Sequence, residues 1–346
     1  MKKFDVFVWA SDFEDFTGEG LLARCFVEKY FAKKSILKIY SNSSKFFFYN
    51  KKIYKLKNRP YSNNFFKKYF YLLKGLFFIW YYHFKGKKTL YINYLPLWNF
   101  LLFILLPSET VLGPITGSVY NGRIHNVNSF IRKIIFPIFY FIAINIALRK
   151  YKNLIFSTEN LKEIIPKKFI KKCLFNFSLL FYKNRKLKKK DIDFIFYYRN
   201  HPQKANNFHK SLIKKLSDNG FKIIVVGDFF IYKKIKNYIN LPRKSLLNLL
   251  DTAKFSVGAS DNFYSLFFLD CLSCNVKFFY DITLKPERFL FSHDYLKPIN
   301  FNELDKSYDD IIHVYKNYKN NKLIKYNINN IQHKIDLKLN KFLLFT

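Results

Sequence analysis

The chain alternates, twice over, between short apolar runs and stretches in which apolar residues recur every three or four positions. Phe4–Ala10 is the first apolar run; a polar loop with two glycines follows at 11–20, and a helical pattern begins at Leu21. Asp191–Tyr198 and Phe221–Val226 open a second series of the same kind. Such β–loop–α–β units are typical of parallel sheets covered by helices. The sequence therefore predicts an α/β protein with two strand-and-helix halves in tandem.

The remaining predicted elements fit this alternation. Further strands are predicted at Ile36–Ser41, Thr89–Tyr94, Thr110–Ile115, Asn153–Ser157, Phe255–Gly258 and Val276–Tyr280, and helices at Pro96–Leu106, Ile134–Leu148, Leu246–Leu250 and Ser265–Ser273. A length of 346 residues suits two domains. We predict domains at 1–170 and 171–346, with the boundary near the basic run Lys183–Lys190 or somewhat before it.

The net charge of +36 is the most unusual property of the composition. Lysines supply most of it and are scattered along the chain, beside many Asn, Ile, Phe and Tyr residues, which A/T-rich codons also favour. Scattered charge favours weak attraction to an anionic membrane or a phosphorylated substrate over nucleic-acid binding. A basic protein that binds RNA or a membrane surface remains an alternative interpretation.

The four cysteines are too few for a disulfide framework, which fits a reducing cytoplasm. Cys271 and Cys274 form a C-x-x-C pair without a second ligand pair at zinc spacing, so we expect them to be buried against a sheet. Asp191-x-Asp193 begins a strand rather than a strand-end loop. No metal or other cofactor is therefore expected.

Two segments bear on localisation. The first residues lack the pattern of a signal peptide because Asp5 interrupts the apolar run at once. Ile134–Leu148 is apolar but shorter than the roughly 20 residues that cross a bilayer. It indicates a buried or interfacial helix, and we expect a cytoplasmic protein, peripheral at the inner face of the plasma membrane.

Two cations follow the first strand of the second half. Arg199 comes directly after Asp191–Tyr198, and Lys204 lies five residues further on, where the next helix should begin. Ligands of open parallel sheets bind at the carboxyl ends of the strands, and helix N-termini there favour anions. Arg199 and Lys204 are therefore our candidates for holding a diphosphate, although any loop of a lysine-rich chain can contain such a pair.

A second polar segment follows the predicted strand Phe255–Gly258. Asp261 and Asn262 can bind sugar hydroxyls, the Ser265 N–H can face phosphate, and the Asp270 carboxylate can accept hydrogen bonds from ribose. Helix capping by Asp261 and Asn262 is the plain alternative, and it is compatible with binding.

These elements occur in an order that resembles the carboxy-terminal half of GT-B glycosyltransferases, in particular the large retaining family-four type. The resemblance covers about residues 191–281 and is carried by Arg199-x4-Lys204, Gly227-Asp228 and Ser260-x-Asn262-x3-Leu266-x3-Asp270. In that family an Arg and a Lys grip the donor diphosphate, and two glutamates eight apart contact the donor sugar and the ribose. Asn262, beside Asp261, and Asp270 stand at those two positions, so the stereochemical outcome stays open.

The amino-terminal loop Thr17-Gly18-Glu19-Gly20 resembles the same family's glycine-rich loop near the donor phosphates. The resemblance implies two Rossmann-like domains with a cleft between them and transfer of a hexosyl or related group. The donor would be a nucleotide sugar, and the acceptor a glycan or a lipid-linked molecule of a surface polysaccharide such as lipopolysaccharide. His125 is a candidate acceptor or sugar contact. A non-catalytic scaffold with the same fold is the alternative.

Overall fold

The structure is a computed structural model, and it divides into two compact units. Unit 1 comprises Met1–Ser178 and Gln332–Thr346, and unit 2 comprises Leu179–Ile331. It describes residues 5–14, 18–31, 35–42, 44–58, 65–92, 95–96, 100–116, 127–158, 162–181, 183, 185–186, 188–200, 206–233, 235–239, 241–259, 265–284, 296–318 and 328–344. The division falls eight residues after the predicted boundary at 170, and it assigns the last helix to unit 1.

The sheet of unit 1 is mixed. Its strands are β1 Val6–Trp9, β2 Leu37–Tyr40, β3 Ser44–Tyr49, β4 Lys52–Asn58, β5 Lys88–Tyr91, β6 Leu95–Pro96, β7 Val111–Thr116, β8 Leu154–Phe156 and β9 Cys173–Leu174. They lie in the order β4-β3-β2-β1-β5-β7-β8-β9, with β6 paired to β7. All pairings are parallel except β2–β3 and β3–β4.

An antiparallel hairpin at the edge of this sheet departs from the predicted alternation. Asn50 and Lys51 both have positive φ angles, 52° and 60°, between β3 and β4. Two such residues form the tight turn whose twist matches antiparallel strands, and Asn adopts this conformation readily. The chain therefore turns back here instead of crossing over through a helix.

The helices of unit 1 are α1 Gly18–Tyr30, α2 Phe65–Phe84, α3 Phe100–Leu105, α4 Val127–Phe130, α5 Phe136–Lys150 and α10 Ile328–Leu344, with a π-helical segment at Ile131–Ile135 between α4 and α5. Buried residues of α2, α3 and α5 share one core cluster with Phe7 and Trp9 of β1. These three helices therefore lie on the same face of the sheet. Gly75 of α2 permits the approach, since a Cβ there would lie 2.4 Å from the Trp9 indole nitrogen.

The outer surface of this helix layer is unusually apolar. Its exposed large hydrophobic residues are Leu73, Phe77, Tyr81 and Phe84 of α2, Leu101, Ile104 and Leu105 of α3, and Ile134, Ile138, Phe141 and Ile142 of the π-helical segment and α5. Ile134–Leu148 was predicted to be buried or interfacial, and the structure buries only one side of α5. Within the described residues, none of the helices combines the length and apolarity required to span a bilayer.

Unit 2 holds a fully parallel sheet. Its strands are β10 Ile192–Tyr198, β11 Ile223–Gly227, β12 Lys236–Ile239, β13 Ala253–Val257, β14 Lys277–Asp281 and β15 Leu296–Ile299, and its helices are α6 Asn206–Asp218, α7 Arg243–Thr252, α8 Leu266–Ser273 and α9 Leu304–Lys316. The strand order is β12-β11-β10-β13-β14-β15. This is the doubly wound order of nucleotide-binding sheets.

The winding direction reverses between β10 and β13. From β10 the chain first moves outward to β11 and β12, then returns to add β13, β14 and β15 on the other side. At such a reversal the loops diverge to opposite faces and leave a crevice at the carboxyl ends of the two central strands. The residues after β10 and β13 are therefore the ones best placed to meet a ligand.

Candidate functional site

Arg199 is the first residue beyond β10, at the carboxyl end where the crevice opens. Its side chain is exposed, and its Nε and Nη2 atoms donate hydrogen bonds to the Tyr197 hydroxyl at 2.9 and 2.7 Å. The guanidinium also lies over the Tyr197 ring, 5.2 Å from its centroid. The same tyrosine thus orients the arginine through both its hydroxyl and its ring.

Tyr197 also connects β10 to the start of α8. Its ring stacks on Phe267, with centroids 5.2 Å apart and an interplanar angle of 24°. Phe267 is the second residue of α8, so the arrangement holds Arg199 on the side where that helix begins. A cation and a helix N-terminus on one side of the crevice together favour a phosphate group.

Ser265 caps α8, and Leu266 is the first residue of the helix. The Ser265 Oγ accepts a hydrogen bond from the Phe268 N–H at 3.1 Å, which satisfies one of the N–H groups at the helix N-terminus. The N-cap of α8 is therefore Ser265, whereas Asp261 and Asn262, the alternative capping residues, lie outside the described part of the chain.

The turn after β11 is hydrogen-bonded to the segment that contains Arg199. The Asp228 carboxylate accepts a hydrogen bond from the Asn200 N–H at 2.8 Å, and the Asp228 N–H donates to the Tyr198 carbonyl at 2.9 Å. Gly227 makes this turn possible because its φ is +114° and a Cβ there would lie 2.4 Å from the Tyr198 carbonyl oxygen. Gly227-Asp228 thus contributes by positioning the loop after β10.

Asp270 is buried in α8 and paired with a cation that the sequence interpretation missed. Arg243, the first residue of α7, donates from Nη2 to Oδ1 at 2.6 Å and from Nε to Oδ2 at 3.2 Å. Burial raises the pKa of Asp270, and the arginine offsets this only in part. Both oxygens thus face Arg243, and the predicted contact of Asp270 with ribose stays a prediction. The partners are 27 positions apart in the sequence, so no local pattern predicts the pair.

Gly18, Glu19 and Gly20 form the first turn of α1, which follows β1 in unit 1. Glu19 has an exposed side chain, yet its pKa rises to about 7 because surrounding protein atoms restrict its hydration and the Asp12 carboxylate repels its charge. A carboxyl that titrates near neutrality can exchange a proton with a substrate at physiological pH.

Several predicted site residues lie outside the described part of the chain, namely Lys204, Asp261, Asn262 and His125. Among the residues that the structure describes, no group of three or more His, Cys, Asp or Glu side chains could hold a metal ion. Cys271 and Cys274 are buried as predicted, and burial raises the pKa of both thiols.

The basic run at 183–190 is anchored to unit 2. Arg185 donates to both oxygens of the buried Asp251 carboxylate at 2.8 and 2.7 Å, and Lys188 contacts the same group at 2.9 Å. Although burial opposes ionisation, these partners lower the pKa of Asp251 to about 2. Lys190 is buried and donates to the carbonyls of Leu250 and Cys274 near the C-termini of α7 and α8. Three residues of the run therefore serve internal contacts.

Comparisons with known proteins bear on the fold as a whole. A scan against protein-family models finds no match, and a comparison with curated protein sequences finds no significant one. Solved structures do match. Sucrose-phosphate synthase from Thermosynechococcus elongatus has a TM-score of 0.67 at 10% identity, over 98% of this chain and 98% of that chain.

Two other solved structures contain UDP. HepE from Anabaena, in complex with UDP and glucose, has a TM-score of 0.54 at 11% identity, over 99% of this chain and 98% of that chain. MnaA from S. aureus, in complex with UDP, has a TM-score of 0.53 at 10% identity, over 91% of this chain and 88% of that chain. These structures do not single out the family-four type. Its sheets are mainly parallel in unit 1 and wholly parallel in unit 2, and the chain has the α/β GT-B fold that the resemblance implied.

Proposed function

We propose that the protein is a glycosyltransferase that moves a hexosyl or related group from a nucleotide-sugar donor to a glycan or lipid-linked acceptor of a surface polysaccharide. The observation that carries the proposal is the position of Arg199. It follows the central strand of a doubly wound sheet at the point where the winding reverses, and Tyr197 holds it beside the start of α8. That edge of such a sheet is where nucleotides bind.

The chemistry of the crevice suits a leaving nucleoside diphosphate. In glycosyl transfer, the bond between the sugar's anomeric carbon and the diphosphate oxygen breaks, and negative charge develops on the departing phosphate. Arg199, with Lys204 as its proposed partner, and the N-terminus of α8 would stabilise that charge, and they would do so most strongly in the transition state. In this proposal Asp261 and Asn262 contact the donor sugar, Asp270 the ribose and His125 the acceptor or donor sugar.

Gly18–Gly20 remain proposed contacts on the donor side, and to this we add a role for Glu19 in the acceptor chemistry. An acceptor hydroxyl must lose its proton as it attacks the anomeric carbon, and a carboxylate with a pKa near 7 can take that proton at neutral pH. Gly18–Gly20 begin α1, the helix that follows β1 in the parallel part of the sheet, which supports a role for this turn at the edge of that sheet.

The first experiment is a thermal-shift screen of the full chain against UDP-, GDP-, ADP- and TDP-sugars. A ligand that binds only the folded state raises the melting temperature, by more as its concentration rises above the dissociation constant. Because HepE and MnaA are complexes with UDP, we expect the largest shift with a UDP-sugar. A non-catalytic scaffold would bind such a ligand without releasing its nucleotide, so an assay for free nucleoside diphosphate separates it from an enzyme.

A further inference from the structure

The outer surface of α2, α3 and α5 resembles a core surface more than a water-exposed one. On α2, Phe77 and Phe84 are 65% and 79% exposed, and with Leu73 they form a stripe along one side of the helix. On α5, Phe141 is 65% exposed and lies beside the exposed Ile138. Side chains of this size at these exposures normally occur singly on a protein surface, and a contiguous group marks an interaction site.

The three helices present these side chains together. The Trp80 indole N–H of α2 donates to the Leu105 carbonyl of α3 at 2.8 Å. Phe100 of α3 packs against Phe139 of α5 with ring centroids 5.7 Å apart. All three helices bury their opposite sides in the same core cluster. Their exposed apolar residues therefore form one continuous surface, which we call the apolar layer.

The sequence segment that contains the apolar layer is almost entirely positive in charge. From Lys29 to Thr158 the sequence contains 22 lysines and arginines but one acidic residue, Glu109, which lies 3.7 Å from the His83 ring nitrogen. Lys133 and Arg149 are exposed on the π-helical segment and α5, and Lys85 lies 4.2 Å from the centroid of the Tyr81 ring. An apolar surface with cations around it complements the acyl boundary and the headgroups of an anionic bilayer.

We infer that the apolar layer is a docking surface for a membrane rich in anionic lipids. The helices would lie in the plane of the interface, with Phe77, Phe84 and Phe141 among the acyl chains and the lysines at the headgroups. A second copy of the chain fits this surface less well, because a two-fold contact would bring the same cations together without acidic partners. The apolar layer would be the part of the chain that contacts the membrane in the peripheral location expected from the sequence. Only the connection between this contact and a lipid-linked acceptor rests on the proposed function.

The test is co-sedimentation of the full chain with vesicles of phosphatidylcholine alone or mixed with phosphatidylglycerol, at low and high salt. We expect binding to the mixed vesicles, reduced but not abolished by salt. The double variant Phe77→Ser/Phe141→Ser should lower the partition coefficient by about tenfold or more, because both side chains leave the acyl region. Phe229→Ser is the matched control, since Phe229 is also 65% exposed but lies in unit 2, and it should bind like the wild type.

Three results would overturn the inference. The wild-type chain could stay in solution with the mixed vesicles. The Phe77/Phe141 double variant could bind as well as the wild type, which would place the contact elsewhere. Sedimentation velocity could instead show a dimer that the same double variant dissociates, without vesicle binding, which would assign the apolar layer to a second copy. Vesicle binding needs no nucleotide sugar, so its failure is distinguishable from failure of the glycosyltransferase proposal.

Discussion

Unit 1 and unit 2 both contain a sheet with mainly parallel strands, but they differ in how far their cations are paired with acids. In unit 2 several buried or half-buried acids pair with cations, namely Asp251 with Arg185, Asp270 with Arg243 and Asp193 with Lys254. In unit 1 the segment from Lys29 to Thr158 has cations almost without acids, and its outer helices expose aromatic rings. Unit 2 thus pairs part of its charge internally and still carries 27 lysines and arginines against 14 acids, whereas the segment 29–158 of unit 1 carries 22 against one.

From this difference we expect the two units to contact different ligands. A sheet with internally paired acids can keep the cation at the strand end, Arg199, available for a nucleotide diphosphate. A cationic surface with apolar helices suits an anionic interface. The net charge of +36 is unevenly distributed along the chain, and the segment 29–158 alone contributes +21 of it.

The largest effect that we expect comes from Glu19 in unit 1. Glu19→Gln should lower the turnover number by about 10²- to 10⁴-fold, the usual contribution of a general base. In the wild type, activity should rise with pH through about 7, where Glu19 loses its proton, and the variant should lack this limb. A pH–rate profile with the same limb in both proteins would remove Glu19 from the acceptor chemistry.

Glu19→Gln should also change how the stability of the folded chain depends on pH. The native pKa of about 7 lies above the ordinary 4.5, so the ionised form is disfavoured in the folded state. Wild-type stability should therefore fall relative to Glu19→Gln as pH rises from about 4.5 to 7. The variant's melting temperature should exceed that of the wild type at pH 8, and the difference should close below pH 4.5.

Arg199 tests the corresponding site in unit 2. Arg199→Ala should lower catalytic efficiency by about 10- to 1,000-fold, or roughly 1.4–4 kcal/mol, and should weaken donor binding as well as turnover. Arg199→Lys should recover only part of the loss, because a single ammonium cannot make the guanidinium's bidentate contacts. Arg149→Ala, which removes an exposed arginine from unit 1, is the control. Near-normal kinetics in Arg199→Ala would defeat the site assignment.

The buried ion pair of Arg243 and Asp270 in unit 2 should contribute to the free energy of unfolding. Arg243→Met leaves the Asp270 carboxyl buried without its cation, and we expect the free energy of unfolding to fall by about 1–3 kcal/mol in urea denaturation. The control is Lys233→Met, which breaks the exposed pair with Asp218 and should have a much smaller effect. An equal loss of unfolding free energy in the two variants would show that the buried pair of Asp270 stabilises the fold no more than the exposed pair of Asp218 does.

The smallest effect should come from the apolar layer of unit 1. Phe77→Ser should change the free energy of unfolding by no more than about 0.5 kcal/mol in the absence of lipid, since its side chain is largely exposed. Phe103→Ser, in the core of the same unit, should lower it by about 3–5 kcal/mol. A large loss in Phe77→Ser would indicate that the ring supports the fold rather than an interface.

The sequence predicted those features that depend on neighbouring residues. β10 and the position of Arg199 at its end follow from one apolar run and the polar residues after it. The hairpin of β3 and β4 was not predicted, because its turn residues Asn50 and Lys51 lack the glycine that usually marks such a turn.

Pairs that depend on the folded chain could not be predicted in this way. Arg243 reaches Asp270 across 27 residues, and the Asp336 carboxylate of α10 lies 3.0 Å from the Lys29 ammonium of α1. The second contact joins the last helix to unit 1, to which that helix belongs, instead of to the unit that precedes it in the chain. Such pairs are set by the packing of elements, for which a short stretch of sequence holds no signal.

The most direct measurement is isothermal titration of UDP, GDP, ADP and TDP into the full-length protein and into Arg199→Ala. We expect at least one nucleoside diphosphate, with UDP the first candidate, to bind with a stoichiometry of one. Its affinity should fall by about tenfold or more in Arg199→Ala and stay unchanged in Arg149→Ala. Absence of binding by all four nucleotides, or equal affinity in Arg199→Ala, would contradict a nucleotide site at the β10–β13 reversal and the glycosyltransferase proposal with it.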